Sequence, residues 1–166
     1  MFKLIKLETI GLFICILSLF VAYIYFDLVK GLAACTLCVL DRLIIFMIAS
    51  IFLFSLLTKN KYFFKTLFSF NLFFCIVGIV STIRHIWLQY FNDESVMDGF
   101  GCGGGFFYYI TTLPILDALI NIFDNPTPCN DIKWQLFGLS IPMYTFILFC
   151  VLTIISIKIL LRGKYD

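Results

Sequence analysis

Four long runs without a charged side chain dominate the hydrophobic pattern of this chain. They cover residues 10–26, 43–57, 66–83 and 141–157. Each run is close to the roughly 20 apolar residues that an α-helix needs to cross a bilayer. The pattern predicts membrane spans at about residues 9–27, 37–58, 64–86 and 141–161. Ser140, as a capping residue, and Pro142, with its preset φ, mark the start of the last span.

The composition agrees with a membrane protein. Hydrophobic residues make up 62% of the chain and charged residues 13%, whereas soluble domains hold about 45–50% and 25%. The predicted fold class is therefore an all-α membrane protein, a four-transmembrane-helix bundle. With no detectable repeat or low-complexity linker, we expect a single integral membrane domain over residues 1–166.

The charged residues predict how the bundle is oriented, because cytoplasmic loops carry the Lys/Arg excess. Basic residues lie at the N-terminus, between the second and third spans, and at the C-terminus: Lys3, Lys6, Lys59, Lys61, Lys65, Lys158, Arg162 and Lys164. Residues 87–140 carry six acidic residues against Lys133 alone. Both termini are expected in the cytoplasm, and the loops of about residues 28–36 and 87–140 in the periplasm. The small net charge of +2 argues against a nucleic-acid partner.

The N-terminus also resembles a secretory signal peptide, since two lysines precede an apolar run and Cys35 ends a lipoprotein-like box. The run is longer than the 7–15 residues of a signal sequence. Asp27 and Lys30 intervene before Cys35, and three further spans follow. An uncleaved first span is therefore the favoured interpretation.

The long outer loop is glycine-rich around Cys102, which favours a mobile backbone there. Further along, Asp117, Asn121 and Asp124 recur at helical spacing among apolar residues. This predicts a short interfacial helix over residues 112–124, with a small core helix beneath the loop as the alternative. Either placement keeps Cys102 and Cys129 near the bilayer.

The chain contains seven cysteines in two groups. Three lie within apolar runs and are expected to act as small hydrophobic side chains: Cys15, Cys75 and Cys150. The other four fall on the predicted outer side: Cys35, Cys38, Cys102 and Cys129. In a bacterial envelope, where disulfides form, these four predict two pairs.

Four cysteines allow three connectivities. Local closure favours Cys35 with Cys38, which leaves Cys102 with Cys129. A Cys-x-x-Cys spacing is typical of a reactive, reversible bond. The alternatives are a non-enzymatic scaffold with two stabilising disulfides and a zinc-binding membrane protein, although the second Cys-x-x-Cys of a typical zinc site is missing.

Arg42 adds a permanent cation to the Cys-x-x-Cys. If the second span begins near Cys35, then Cys35, Cys38 and Arg42 share one helix face. A guanidinium beside Cys38 favours the reactive thiolate and would attract a quinone oxygen. Snorkelling to the interface is the alternative for Arg42. Asp41 is expected off this face, as an exposed or pairing charge.

His85, the single histidine, lies at the outer end of the third span. Ionisable groups at such positions are costly and are therefore candidate functional residues. An imidazole there could relay a proton or donate a hydrogen bond to a quinone carbonyl. The alternative is an interfacial histidine without chemistry.

Taken together, these residues resemble the DsbB family of disulfide-bond formation proteins over essentially the whole chain. The matching motifs are Cys35-Thr36-Leu37-Cys38 with Asp41-Arg42, Arg84-His85-Ile86-Trp87-Leu88-Gln89, Cys102-Gly103, Cys129 with Trp134, and Gly138-Leu139-Ser140-Ile141-Pro142. The resemblance implies a bacterial inner-membrane oxidoreductase that reoxidises a periplasmic thioredoxin-fold oxidase of the DsbA type. It also implies that the electrons go to ubiquinone or menaquinone.

The resemblance further implies a role for each outer cysteine. Cys102 would form the mixed disulfide with the partner, Cys129 would exchange with Cys35, and Cys38 would be released as the thiolate facing the quinone. No metal is implied.

Arg42 and His85 would carry the quinone-site roles. Three positions depart from the family pattern: Asp41 replaces Gln or Glu, and Ala34 and Gly104 replace Pro. None of these removes a redox group. They leave open a general enzyme or a DsbI-type paralogue with a dedicated partner.

Overall fold

The computed structural model describes residues 2–31, 34–58, 60–91, 111–117, 120 and 134–162. Helix α1 (Phe2–Phe20) continues directly into a π-helical segment (Val21–Val29). The other elements are α2 (Thr36–Leu57), α3 (Lys61–Phe91), β1 (Gln135–Leu136), β2 (Leu139–Ser140) and α4 (Ile141–Arg162).

Four helical stretches are long and apolar enough to cross a membrane. They are Leu7–Val29, Thr36–Leu57, Tyr62–Tyr90 and Ile141–Leu161. Helices suit such sequences because every backbone polar group in hydrocarbon must find its partner within the segment. The predicted fold class, an all-α membrane protein with four spanning helices, is confirmed. The location of the termini and the interfacial helix remain predictions. For that helix, residues 111–112 and 115–117 are helical, and most of the rest lies outside the described residues.

The core lies where the helices meet, with α1 packed on α2, α2 on α3, and α4 on both α3 and α1. Aromatic side chains fill much of it. Phe52 of α2 and Phe68 of α3 meet edge to face with their ring centroids 5.7 Å apart, and Phe64 lies 4.8 Å from Phe68. Cys15 and Cys75 are fully buried in this core, the environment predicted for them.

Gly11 allows α1 to approach α2 closely. A Cβ atom at this position would lie 2.6 Å from Cζ of Phe52, so any larger residue would displace that ring. Deeper polar contacts also join the helices: Asn71 Nδ2 donates to Ser156 Oγ at 2.8 Å, which links α3 to α4. Small residues and interhelical hydrogen bonds are the usual means of holding membrane helices together.

A short antiparallel hairpin precedes α4, with Gln135 opposite Ser140. Phe137 (φ 52°) and Gly138 (φ 78°) form its turn, and two positive φ values in succession are the mark of a type I′ turn. Tyr144 Oη donates to the carbonyl of Leu136 at 2.9 Å and ties the hairpin to α4. The predicted cap is wrong in detail, because Ser140 Oγ is buried without a hydrogen bond among the described residues.

The packing predicts unequal effects for two phenylalanines on α2. Phe52 is fully buried, whereas Phe54 is 58% exposed on the outer surface of the bundle. Phe52→Ala should lower the free energy of unfolding by about 3–5 kcal/mol because it leaves a cavity. The matched control Phe54→Ala should stay within about 0.5 kcal/mol of the parent. Unfolding in mixed detergent micelles measures both, and equal losses would contradict the packing described.

Candidate functional site

Cys35 and Cys38 lie at the start of helix α2. Cys35 is the N-cap residue in an extended conformation, and its Sγ accepts a hydrogen bond from the backbone N–H of Cys38 at 3.4 Å. Cys38 is therefore the third residue of the helix. At this end the unpaired backbone N–H groups and the helix dipole stabilise negative charge. The thiolate is the reactive form of cysteine, and the Sγ that already accepts an N–H group at this helix end is that of Cys35.

His85 of α3 lies directly beside this thiol pair. Leu37 of α2 and Leu88 of α3 form a small buried cluster against which Cys35 packs, and His85 precedes Leu88 by almost one turn. The imidazole is only 2% exposed, and its Nε2 lies 3.6 Å from Cys35 Sγ. Packing between two helix ends thus brings together residues 50 positions apart in the chain.

An apolar cavity of about 400 Å³ opens beside these groups. Its walls come from all four spanning helices, with apolar side chains such as Ile14, Leu17, Ile45 and Leu148. The polar lining comes mainly from the first turns of α2 and the last turns of α3: Cys35, Cys38, Asp41, Arg42, His85 and Gln89. The cavity therefore combines a mostly apolar interior with a cluster of redox, acidic and basic groups.

Arg42 is held by the π-helical segment of the first span. Its Nη1 donates to Oδ2 of Asp27 at 2.5 Å and its Nη2 to Oδ1 at 2.9 Å, which makes a two-pronged ion pair. Nη2 also donates to the carbonyl of Ala22 at 3.2 Å, and the guanidinium lies 4.9 Å from the centre of the Tyr23 ring. Arg42 is thus fixed by four contacts.

Asp27 is a residue that the sequence interpretation missed. It ends the first apolar run, and only its position as a lone acid near a lone arginine could have indicated a pair.

Asp41 also lies elsewhere than predicted: it is buried and accepts a hydrogen bond from Ser81 Oγ at 2.7 Å. Of the two expected environments, an exposed charge is wrong, and Asp41 is instead partnered by Ser81. The expected off-face position is also wrong, because positions 38 and 41 are neighbours on a helix and both residues line the cavity.

Residues on either side of the hairpin complete the cavity wall. Trp134, just before β1, packs edge to face on Phe26 with ring centroids 5.1 Å apart. Trp134 also lies 6.2 Å from the ring of Tyr144 on α4. All three aromatic residues line the cavity, as does Pro142. The segment around the hairpin thus joins the first and fourth spans over the site.

The structure therefore brings four of the six predicted site residues to one cavity: Cys35, Cys38, Arg42 and His85. The other two, Cys102 and Cys129, lie outside the described residues. A Cys-x-x-Cys at a helix start, beside an apolar cavity within four spanning helices, defines a membrane-embedded thiol protein.

Comparison with known proteins gives the family. The profile of the family described as "Disulfide bond formation protein DsbB" matches residues 6–159. A protein named "Disulfide bond formation protein B" from Nitrosococcus oceani is 32% identical over 149 residues, covering 89% of this chain and 86% of the relative. The protein of that name from Chromohalobacter salexigens is 30% identical over 156 residues, covering 91% and 87%. The chain belongs to the DsbB family, and this membership implies a disulfide-forming oxidoreductase.

The Arg42 contacts predict the effect of changing Asp27. Asp27→Asn removes the anionic partner of a guanidinium that is only 12% exposed. Because hydrogen bonds to charged groups contribute about 1.5–3 kcal/mol, the variant should lose free energy of unfolding in that range. Asp27→Glu retains the carboxylate and should lose less. Detergent unfolding of both variants measures the difference, and an Asn variant as stable as the parent would show that the pair does not hold the first span.

Proposed function

We propose that this protein is a quinone-dependent protein thiol-disulfide oxidoreductase. It reoxidises a periplasmic DsbA-like dithiol oxidase through two cysteine pairs and passes the electrons to ubiquinone or menaquinone. This activity supports disulfide bond formation in exported proteins. The observation that carries the proposal is the thiol pair Cys35 and Cys38 on the wall of an apolar cavity that also holds Arg42 and His85.

The cavity fits a membrane quinone in size and chemistry. Its volume of about 400 Å³ lies in the usual 300–1,000 Å³ range of small-molecule sites, which are mostly apolar with a few convergent polar groups. Arg42 and His85 offer N–H donors for quinone oxygens, and apolar residues such as Leu17 and Leu148 suit its hydrocarbon part. When bound, a quinone supplies the acceptor for two electrons and two protons.

The residues around the thiols suit them for oxidation. Closing the Cys35–Cys38 disulfide releases two electrons and two thiol protons. The start of α2 and the guanidinium of Arg42 favour Cys38 as the thiolate. His85 Nε2, 3.6 Å from Cys35 Sγ, is within reach to accept the other thiol proton after a small movement. Apolar side chains line most of the space beside the reacting sulfur atoms.

The second cysteine pair is proposed to serve the partner. A thiolate of the DsbA-like protein attacks the Cys102–Cys129 disulfide, forms a mixed disulfide with Cys102 and releases Cys129. Cys129 then attacks the Cys35–Cys38 disulfide at Cys35 and releases Cys38 as the thiolate. The partner's second thiol breaks the mixed disulfide, and the freed Cys102 re-forms its bond to Cys129 and releases Cys35. The partner leaves with its disulfide, and the electrons reach the Cys35–Cys38 pair. The family resemblance supports these roles, and the distribution of lysine and arginine supports periplasmic placement of all four cysteines. The protein is accordingly a single multi-pass domain of the bacterial inner membrane with both termini in the cytoplasm.

Quinone-dependent oxidation of a partner tests the proposal directly. Purified protein is mixed with a reduced DsbA-like protein and with either ubiquinone or menaquinone, and quinone absorbance and partner thiols are followed together. We expect one quinone to be reduced for each partner disulfide formed. Electron flow with neither quinone would overturn the proposal. The same mixture of partner and quinone without the membrane protein controls for direct reaction of quinone with thiols.

Cys38 and Cys150 form a matched pair of thiol variants. Cys38→Ser removes the proposed electron-delivering thiolate and should lower turnover by at least about 10³-fold, as expected for loss of an essential nucleophile. Cys150→Ser changes a half-buried thiol of α4 that does not line the cavity, and turnover should be unchanged. Unfolding curves check that both variants fold. Full activity of a folded Cys38→Ser protein would exclude the role given to Cys38.

Arg42 should affect quinone binding more than the maximal rate. Arg42→Gln removes a charged donor worth about 1.5–3 kcal/mol, so KM for quinone should rise about 10- to 100-fold. Because Asp27 then loses its partner, the double variant Asp27→Asn/Arg42→Gln serves as a second test and should show the same KM with better stability. Lys158→Gln, on the exposed surface of α4, is the control. An unchanged KM in both Arg42 variants would contradict this role.

A further inference from the structure

The two thiols and the histidine form a cluster with the geometry of a metal site. Sγ of Cys35, Sγ of Cys38 and Nε2 of His85 all lie within 4.8 Å of one another. Around one tetrahedral Zn²⁺, with bonds of about 2.3 Å to sulfur and 2.0–2.1 Å to nitrogen, ligand atoms are about 3.5–3.8 Å apart. The separation of 3.6 Å between Cys35 Sγ and His85 Nε2 already has this value. Small side-chain rotations would bring the remaining atoms to it.

The charges also suit a divalent cation. Two thiolates and a neutral imidazole around Zn²⁺ give a net charge of zero, and a neutral group is far less costly to bury than separate charges. Nearby, the Arg42 guanidinium is paired with the Asp27 carboxylate, which reduces its repulsion toward a bound cation. Asp41 lies on the same cavity wall, and its carboxyl group does not repel a cation. Thiolate and imidazole ligands favour zinc over harder cations such as Mg²⁺ and Ca²⁺.

We propose that the dithiol form of this protein binds one zinc ion through Cys35, Cys38 and His85, with the fourth position open to the cavity. Binding converts two thiols into two zinc-bound thiolates and releases two protons, with no change of oxidation state. The zinc site weighed from the sequence required four cysteines. The fold supplies His85 in their place, from a helix that is distant in the sequence.

The site exists only while the two cysteines are reduced. Closing the Cys35–Cys38 disulfide removes two of the three ligands, so metal binding and disulfide formation exclude each other. Zinc is therefore an inhibitor that holds the protein in its dithiol form. The inhibition rests on the proposed function, whereas the binding itself does not.

A zinc titration of the full-length protein tests the binding. The protein is reduced, freed of quinone and kept in detergent, in a Cys102→Ser/Cys129→Ser background that removes the other outer thiols. Competition with a chromophoric chelator should show one equivalent of bound Zn²⁺. Loss of a residue that hydrogen-bonds a metal ligand typically lowers metal affinity by about 10- to 100-fold. Because His85→Gln and Cys38→Ser each remove a ligand itself, both should lower zinc affinity by more than that. Cys150→Ser should bind as the parent does.

A second measurement needs no change to the site itself. Co²⁺ replaces Zn²⁺ as a coloured probe, and its thiolate charge-transfer absorption should appear in the reduced background protein. Oxidising that protein with diamide should abolish the absorption, and renewed reduction should restore it. This arm remains informative even if His85→Gln fails to fold.

Three outcomes would overturn the proposal: no binding of zinc by the reduced protein, undiminished affinity in a folded His85→Gln protein, or metal binding that survives oxidation. Failure of the proposed function would look different. In that case the titration would succeed and the quinone assay would show no electron flow. A protein that passes both tests should lose turnover as zinc is added and regain it when a chelator removes the metal.

Discussion

The ion pair between Arg42 and Asp27 governs much of the architecture around the cavity. A guanidinium that is largely withdrawn from water needs an anionic partner, because an unpaired charge there is far more costly than a paired one. Asp27 provides it from the first span, and the carbonyl of Ala22 takes a further N–H group. The first two spans are thereby joined beside Cys38, and the side of the cavity that they form is fixed by charge as well as by packing. The aromatic core around Phe52 joins the same helices by apolar packing.

Three polar or charged side chains near the cavity each contact a partner on another helix. Asp41 is bonded to Ser81, Arg42 to Asp27, and His85 lies against Cys35, each contact joining different helices. The result is a set of reactive and charged side chains held by neighbouring elements around a space that remains mostly apolar. Such pre-arrangement limits the movement needed before chemistry, which suits the site of a disulfide-forming oxidoreductase.

The sequence predicts the parts of this structure that depend on local pattern. The four spans follow from the length of the uncharged runs, and the helical start at Thr36 places Cys38 and Arg42 one turn apart. The contacts that complete the site depend on packing between distant segments. Asp27 and Arg42 are 15 residues apart, and Ser81 and Asp41 are 40 apart. No periodicity within one segment encodes such pairs. The roles of Cys102 and Cys129 rest on family resemblance alone.

The π-helical winding of Val21–Val29 makes chain length a determinant of the site. Ala22 and Asp27 both contact Arg42, and their separation of five residues is the i to i+5 spacing of a π-helix. In an α-helix the same two residues would point about 140° apart around the axis. Gain of a single residue between them would place them six residues apart, about 120° around the axis of an α-helix, and would carry the carboxylate away from the arginine while leaving the composition of the span almost unchanged. An added residue in this segment should therefore disturb the site more than a conservative apolar substitution there.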